Sequence, residues 1–192
     1  MKKGKLIVLS APSGTGKTTI TKELLKKNSK WKFSVSATTR PPREGEVDGK
    51  DYIFMSKEKF EHYVKFGDFL EWEFVHGNRY GTLTDPLYDT LDNGDVMLLD
   101  IDVIGGKNVM EEFPEDTLSI FIEPPGLNIA EQKITLEDRL RSRGDDQTTQ
   151  IKNRLKRFEK EMESKEHFDL HYINENLKET INLIEKDIKK RI

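Results

Sequence analysis

The feature that most constrains this chain is a glycine-rich loop between a short apolar run and a helical pattern. The loop is Ala11–Thr18, with the letters APSGTGKT. It follows Leu6–Leu9, which is typical of a buried strand, and it leads into Lys17–Lys27, where apolar residues recur at helical spacing. A strand, a G-x-G-K-T loop and a helix in this order are the context of a P-loop. The sequence therefore predicts an α/β fold with a phosphate-binding site.

The residue types in this loop suit a bound polyphosphate. Glycines let backbone N–H groups turn towards phosphate oxygens, and the start of the following helix adds the positive end of its dipole. Lys17 supplies a charge for the β- and γ-phosphates, and the hydroxyl of Thr18 suits Mg²⁺. The usual pattern begins with glycine where this chain has Ala11. A flexible turn with a solvated lysine is the alternative interpretation, which the flanking strand and helix disfavour.

A second apolar run, Val96–Leu99, ends in Asp100 and is followed closely by Asp102. In open α/β sheets, ligands bind at the carboxyl ends of the strands. We therefore expect Asp100 to hold Mg²⁺, directly or through water. Asp102 is compatible with two interpretations, a ligand-binding residue and the N-cap of the next helix.

Composition excludes several other classes of protein. The 192 residues include 32 basic and 35 acidic ones, a net charge of −3 that argues against a nucleic-acid-wrapping protein. There is no cysteine, which excludes disulfides and thiolate zinc sites and is consistent with the cytoplasm. No apolar stretch approaches the roughly 20 residues that cross a bilayer. We expect a cytoplasmic protein with neither a nucleic-acid nor a membrane partner.

The rest of the chain alternates between strand-like and helix-like segments. This alternation predicts a mainly parallel, five-stranded sheet flanked by helices, and the segment 40–75 breaks the rhythm like a small mixed α+β insertion. The predicted strands are Phe33–Ala37, Tyr52–Met55, Phe69–Val75, Leu118–Ile122 and Asp169–Ile173. The predicted helices are Ser56–Gly67, Asp85–Asn93, Leu136–Arg143, Thr149–Glu163 and Leu177–Lys190.

Several further motifs resemble those of the guanylate kinases, which are P-loop nucleoside monophosphate kinases. Ser34–Tyr52, with the letters SVSATTRPPREGEVDGKDY, is similar to the GMP-binding segment of that family. Phe69–Trp72 (FLEW), Gly77–Thr82 (GNRYGT) and Leu99–Asp102 (LDID) resemble further family motifs in the same order. The resemblance implies a P-loop core (residues 1–37, 84–125 and 165–192), a GMP-binding domain (38–83), and a helical lid with the helix that follows it (126–164).

The same resemblance implies phosphoryl transfer from ATP to GMP or dGMP with Mg²⁺, and it assigns residues to each task. The implied ATP-binding residues are Ser13, Gly14, Thr15, Gly16, Lys17, Thr18, Thr19, Arg143 and Asn174. The implied GMP-binding residues are Ser36, Arg40, Arg43, Tyr52, Glu71, Tyr80, Thr82 and Asp102. The implied catalytic residues are Lys17, Arg139, Arg143 and Arg154, and the implied Mg²⁺ ligands are Thr18 and Asp100.

Elementary chemistry agrees with the assignments around the acceptor. Guanine presents an N1–H and a 2-amino group side by side, and the carboxylate of Glu71 would accept from both. The guanidinium forks of Arg40 and Arg43 match phosphate oxygens. The ordinary alternatives are a solvent-facing strand position for Glu71 and surface charges for the two arginines.

Four features depart from the family's usual pattern. The run Gly126–Thr135 before the lid helix is longer than is usual, Ile104 replaces a glutamine, Arg79 replaces a tyrosine and Gln147 replaces a serine or threonine. Two alternative functions remain at this point: a kinase of the same fold for another acceptor, such as a sugar phosphate, and a non-catalytic interaction module. The sequence leaves the assembly open between a monomer and a homodimer.

Overall fold

A computed structural model describes residues 3–75, 77–143 and 148–192, except for the side chains of Val75, Arg143 and Thr148–Gln150. Within these residues, no helix has the length and apolar character needed to cross a membrane. The strands are β1 (Lys5–Ser10), β2 (Lys32–Phe33), β3 (Ala37–Thr38), β4 (Ile53–Phe54), β5 (Phe69–Val75), β6 (Asn78–Leu83), β7 (Val96–Asp100), β8 (Thr117–Glu123) and β9 (Leu170–Ile173). The helices are α1 (Lys17–Lys27), α2 (Lys57–Phe66), α3 (Asp85–Asp92), α4 (Val103–Glu112), α5 (Ile129–Arg143), α6 (Thr148–Glu163) and α7 (Leu177–Arg191).

The main sheet has five parallel strands in the order β2-β7-β1-β8-β9. Its central strand is buried on both faces, because Ile7 and Leu9 join the core shared with α1 and α7, whereas Leu6 and Val8 join the core shared with α3 to α6. A strand covered on both sides has a continuous apolar sequence, as LIVL has. The predicted α/β fold with a mainly parallel five-stranded sheet is confirmed.

The topology brings the two predicted phosphate-side motifs together. Strands β1 and β7 are neighbours, and Leu9 of β1 pairs in register with Asp100 of β7. The loop after β1 and the carboxylate at the end of β7 therefore leave the sheet at the same edge. This is the edge at which parallel α/β sheets bind their ligands.

A second, four-stranded sheet has the order β4-β3-β6-β5 and carries helix α2. Strands β3 and β4 run parallel, and the other two pairs are antiparallel. The hydroxyl of Ser56 accepts a hydrogen bond from the Lys59 N–H (3.1 Å) and so caps the start of α2. Phe60 of α2 is fully buried and stacks on Phe69 of β5 with ring centroids 4.3 Å apart. This mixed sheet and helix are the predicted α+β insertion.

The prediction of one strand over Phe33–Ala37 is wrong. Lys32–Phe33 pairs with β7 in the main sheet, whereas Ala37–Thr38 pairs with β4 and β6 in the second sheet. The intervening residues carry the chain from one sheet to the other: the Ser34 N–H donates to Leu98 O, and Ser36 O accepts from the Ile53 N–H. The local sequence is strand-like throughout, and only the distant partners determine which sheet each half joins.

The run that is longer than usual in the family is largely helical. Helix α5 begins at Ile129, earlier than the predicted start at Leu136. Asn128 and Glu131 form a variant of the capping box: Asn128 Oδ1 accepts from the Glu131 N–H (3.0 Å), and Glu131 Oε2 accepts from the N–H of Leu127, the residue before the cap (2.9 Å). The N-x-x-E spacing was visible in the sequence, and it marks the start of the helix better than the apolar pattern does.

This capping box gives a stability prediction. Asn128→Ala should lower the free energy of unfolding by about 1 kcal/mol, because it leaves the Glu131 N–H in the first turn without its side-chain partner. The loss should be seen in global unfolding, since Leu136 and Leu140 of the same helix are buried in the main core. Chemical denaturation followed by circular dichroism measures it. The matched control is Asp138→Ala on an exposed turn of α5, which should change stability by less than about 0.5 kcal/mol. Equal effects of the two substitutions would contradict the capping assignment.

Candidate active site

The P-loop is fixed in shape by two glycines that other residues cannot replace. Gly14 has φ 97° and Gly16 has φ 103°, both in the left-handed region. A Cβ on Gly14 would lie 2.9 Å from Leu136 Cδ1, and a Cβ on Gly16 would lie 2.9 Å from Asn174 Nδ2. The loop therefore packs directly against α5 on one side and against the residue that follows β9 on the other.

Lys17 is held at the carboxyl ends of the two central strands. Its Nζ lies 2.8 Å from Asp100 Oδ1 and also donates to Ile101 O. Thr21 Oγ1 donates to the other carboxylate oxygen of Asp100 at 3.3 Å. The ammonium group of Lys17 is thus positioned by residues at the end of β7, whereas the backbone of Lys17 belongs to the first turn of α1. Thr18 is exposed on the same turn.

A cleft of about 450 Å³ opens beside the loop, and we call it the P-loop cleft. The P-loop lines one side of it, and Glu73, Asp100, Asp102, Arg154, Arg157 and Glu161 line the rest. Arg154 Nη1 donates to Ser13 Oγ at 2.6 Å, which ties α6 to the loop. The cleft therefore contains both signs of charge beside a backbone suited to phosphates.

Arg157 and Glu161 were not among the predicted site residues. Burial raises the pKa of Glu161, while Arg157, Lys17 and the Ser13 N–H act in the opposite direction. The two residues follow Arg154 at helical spacing of three and seven, which places all three on one face of α6. That spacing is the signal by which the sequence could have shown them.

The residues at this edge fit Mg²⁺. Asp100 and Thr18 offer a carboxylate and a hydroxyl to one cleft, and hard oxygen donors are what Mg²⁺ binds. No group of three or more His, Cys, Asp or Glu residues suited to a metal ion occurs in the described part of the chain. A Mg²⁺ ion at nucleotide phosphates takes one or two protein ligands and completes its shell with substrate phosphates and water.

A second pocket, of about 480 Å³, lies along β5, and we call it the β5 pocket. Its walls are Phe69–Glu73 together with Asp102, Ile104 and Asn108. Thr82, which is only 1% exposed, donates its hydroxyl to Glu71 Oε1 at 2.7 Å and so fixes that carboxylate in the pocket. Burial raises the pKa of Glu71; Asp102 and Glu73 raise it further, and the Thr82 hydroxyl opposes them.

Asp102 is the N-cap of α4, which confirms one of the two interpretations that the sequence allowed. Its Oδ1 accepts from the Gly105 N–H at 2.8 Å and caps α4. It also lines both the P-loop cleft and the β5 pocket. The capping bond holds the carboxylate at the junction of the two spaces.

The predicted phosphate-binding residues of the insertion gather around Arg40. Its fork makes a two-point ion pair with Glu46 (2.8 and 2.9 Å), and its guanidinium carbon lies 5.3 Å from the centre of the Tyr52 ring. Tyr52 and Tyr80 meet edge to face at 6.0 Å. Hydrogen bonding from Arg40 and from the Arg43 N–H lowers the pKa of Glu46. The guanidinium fork thus carries an internal carboxylate partner.

Ser36 lies at the other end of this sheet. It immediately precedes β3, in which Ala37 pairs with Gly81. Continuing this antiparallel register places Ser36 beside Thr82 and therefore near the β5 pocket.

Comparison with known proteins gives a consistent answer. A family model described as guanylate kinase matches residues 3–191. This chain belongs to the guanylate kinase family. It is similar to the guanylate kinase of Chlorobium chlorochromatii (44% identity, covering 96% of this chain and 94% of that protein) and to that of Chlorobium luteolum (42%, covering 94% and 89%). It also resembles the crystal structure of guanylate kinase from Anaplasma phagocytophilum, with TM-score 0.74 and 33% identity, covering 100% of this chain and 87% of that one.

Arg139 and Asn174, which the resemblance assigns to catalysis and to ATP binding, lie close together beside the P-loop. Arg139 donates to Asn174 O at 3.1 Å and to Thr15 O at 3.4 Å. Asn174 is buried, and its Nδ2 donates to Thr15 O at 2.8 Å. Both residues border a pocket of about 260 Å³ that also reaches Leu177. Arg139 and Arg154 therefore contact the P-loop from two different pockets.

The residues that depart from the family's pattern lie at the edges of the site. Arg79 pairs with Glu61 of α2 at 2.9 Å and lies over the ring of Trp72. Ile104 is 66% exposed at the mouth of the β5 pocket. Gln147 lies outside the described residues, as does the side chain of Arg143.

Proposed function

We propose that the chain transfers the γ-phosphoryl group of ATP to GMP or dGMP, giving ADP and GDP or dGDP. The observation that carries this proposal is the continuity of the two spaces: Glu73 and Asp102 line both the P-loop cleft and the β5 pocket. A nucleotide whose base occupies the β5 pocket would extend its phosphate towards the P-loop. The family relationship supports the same reaction and gives no support to a sugar-phosphate acceptor or to a non-catalytic module.

The acceptor would be recognised at both of its ends. Glu71, fixed by Thr82, would accept from the N1–H and 2-amino groups of guanine, with Ser36 and Asp102 contributing to the same end. The acceptor's phosphate would be bound by the opposite end of the second sheet, by Arg40, Arg43, Tyr52 and Tyr80. Because adenine lacks the paired donors, the partly buried carboxylate of Glu71 would select guanine.

The donor would be bound by the P-loop and by the residues around it. Ser13, Gly14, Thr15, Gly16, Lys17, Thr18 and Thr19 are assigned to the phosphates, and Asn174 and Arg143 to the rest of ATP. Thr18 and Asp100 would hold Mg²⁺, which when bound neutralises charge on the β- and γ-phosphates.

Catalysis would depend on alignment and charge, without a general base. Lys17 and Arg154 reach the P-loop cleft, where negative charge spreads over the transferred group's oxygens in the transition state. Arg139 and Arg143 are assigned to the same task from α5. Bringing the two phosphates in line with little water present favours transfer to GMP over hydrolysis.

We also propose the division into a P-loop core, a GMP-binding domain (38–83) and a lid segment (126–164), and we place the reaction in the cytoplasm, where ATP and GMP meet. Every role above is assigned within one chain, so the proposed site is complete in a monomer and in a homodimer.

An assay of ADP release tests the proposal. With ATP and Mg²⁺ present, GMP should be phosphorylated with a kcat/KM on the order of 10⁴-fold above that for AMP. IMP, which keeps the N1–H but lacks the 2-amino group, should fall between the two. CMP, UMP and a buffer blank complete the comparison. ADP release that is equal with and without every nucleotide monophosphate would overturn the proposed activity.

A further inference from the structure

Glu73 occupies the junction between the two pockets and has no assigned role. It lies two residues after Glu71 on β5, so the two side chains share a face of the strand, about 7 Å apart along it. Both carboxylates line the β5 pocket, but Glu73 also lines the P-loop cleft. Glu73 therefore lies between the base end of the proposed site and its phosphate end.

The residues of β6 that pair with Glu71 and Glu73 also lead from the base end of the proposed site to its phosphate end. Glu71 pairs in register with Thr82, and Glu73 pairs with Tyr80. Thr82 belongs to the guanine end, whereas Tyr80 contacts Tyr52 in the Arg40 group at the phosphate end. The part of a nucleotide that joins its base to its phosphate is the ribose, so the ribose of a nucleotide bound as proposed would pass the position of Glu73.

The carboxylate of Glu73 is available to a ligand. The side chain is exposed and, within the described residues, makes no hydrogen bond or ion pair, in contrast to Glu71 with its bond from Thr82. An ionised carboxylate only accepts hydrogen bonds, and the hydroxyls of a ribose are donors. A negative charge here would weaken the binding of an anionic nucleotide unless it made such a contact.

We propose that Glu73 accepts a hydrogen bond from the 2′-hydroxyl of the acceptor nucleotide and makes this enzyme prefer GMP to dGMP. This inference rests on the proposed function and adds to it a sugar-specificity residue. The preference is one of degree, since dGMP keeps every base and phosphate contact.

The test is the ratio of kcat/KM for GMP to kcat/KM for dGMP, measured at saturating ATP in wild type, Glu73→Ala, Glu73→Gln and Glu111→Gln. The wild type should favour GMP. Alanine should lower this ratio about 10-fold, the effect expected for losing a hydrogen bond to a charged group. Glu73→Gln keeps one acceptor oxygen and should lower the ratio less than Glu73→Ala does. Glu111 is exposed at the far end of α4. Glu111→Gln therefore removes the same charge away from the site and should leave the ratio unchanged.

The ratio separates sugar recognition from general charge effects. Removing a negative charge near the phosphates changes the binding of GMP and dGMP alike, and this cancels in the ratio. A wild-type ratio of one, or an unchanged ratio in Glu73→Ala, would overturn the proposal. Failure of the wild type to phosphorylate GMP would instead overturn the proposed activity, so the two failures are distinguishable.

Discussion

Replacing Lys17 with methionine should lower kcat for GMP phosphorylation on the order of 10³-fold, while KM for GMP changes little. In the proposed mechanism the lysine charge acts on the phosphates of the donor, where charge redistributes in the transition state. Its Nζ is already positioned by Asp100 and Ile101 O, so its removal takes away a preorganised contact. Initial rates at saturating ATP and GMP measure the effect.

The control for this prediction is Lys22→Met, a lysine exposed on the same helix. It should keep kcat within about twofold, since surface charges outside the cleft are screened by solvent. Thermal melts of both variants establish that they fold, which matters because Asp100 loses its ion-pair partner when Lys17 is changed. A folded Lys17→Met protein that retains most of its kcat would refute the role assigned to this lysine.

The second large effect concerns Glu71. Glu71→Gln should lower kcat/KM for GMP on the order of 10²-fold, because the amide keeps one acceptor oxygen but places an N–H donor against the second donor of guanine and leaves that donor unpaired. Discrimination between GMP and AMP should fall with it. Comparing kcat/KM for the two nucleotides measures both effects, and Glu111→Gln again provides a distant control. Unchanged selectivity in Glu71→Gln would be incompatible with guanine recognition by this residue.

The same residue sets a pH dependence. Only the ionised carboxylate accepts from both guanine donors, and burial raises its pKa. As pH falls, kcat/KM for GMP should therefore begin to drop at a higher pH than an exposed glutamate would give. The Glu71→Gln variant has no such group, so its profile should lack this acidic limb. Profiles of kcat/KM for wild type and variant, taken where both remain folded, test the assignment.

The parts of the fold that could be predicted from sequence are those whose cause is local. The strand, glycine loop and helix around Lys17 depend on neighbouring residues, and their bounds agree closely with the structure. Strands β2 and β3 do not depend on neighbouring residues alone. Partners far along the chain divide the segment between Phe33 and Ala37 between two sheets. Propensity carries no information about that choice.

The candidate site residues divide in the same way, into those that depend on a local motif and those that depend on distant packing. The P-loop and Glu71 could be predicted as site residues from motifs, since each motif is a short run of residues. Arg157 and Glu161 were missed because their direction depends on how α6 packs, with Ile151, Phe158 and Met162 buried in the main core. The ion pair between Arg40 and Glu46 was missed as well, because the loop that brings the two together has no periodic pattern.

That ion pair affects which anions can bind. Both terminal nitrogens of the Arg40 guanidinium already donate to the Glu46 carboxylate. A small free anion such as phosphate or sulfate must therefore compete with an intramolecular carboxylate. In the proposed site, a phosphate tethered to a guanine held at Glu71 would instead arrive at a high effective concentration. Occupation of the proposed phosphate end would thereby be coupled to occupation of the base end, and the insertion would select for the whole nucleotide over its fragments.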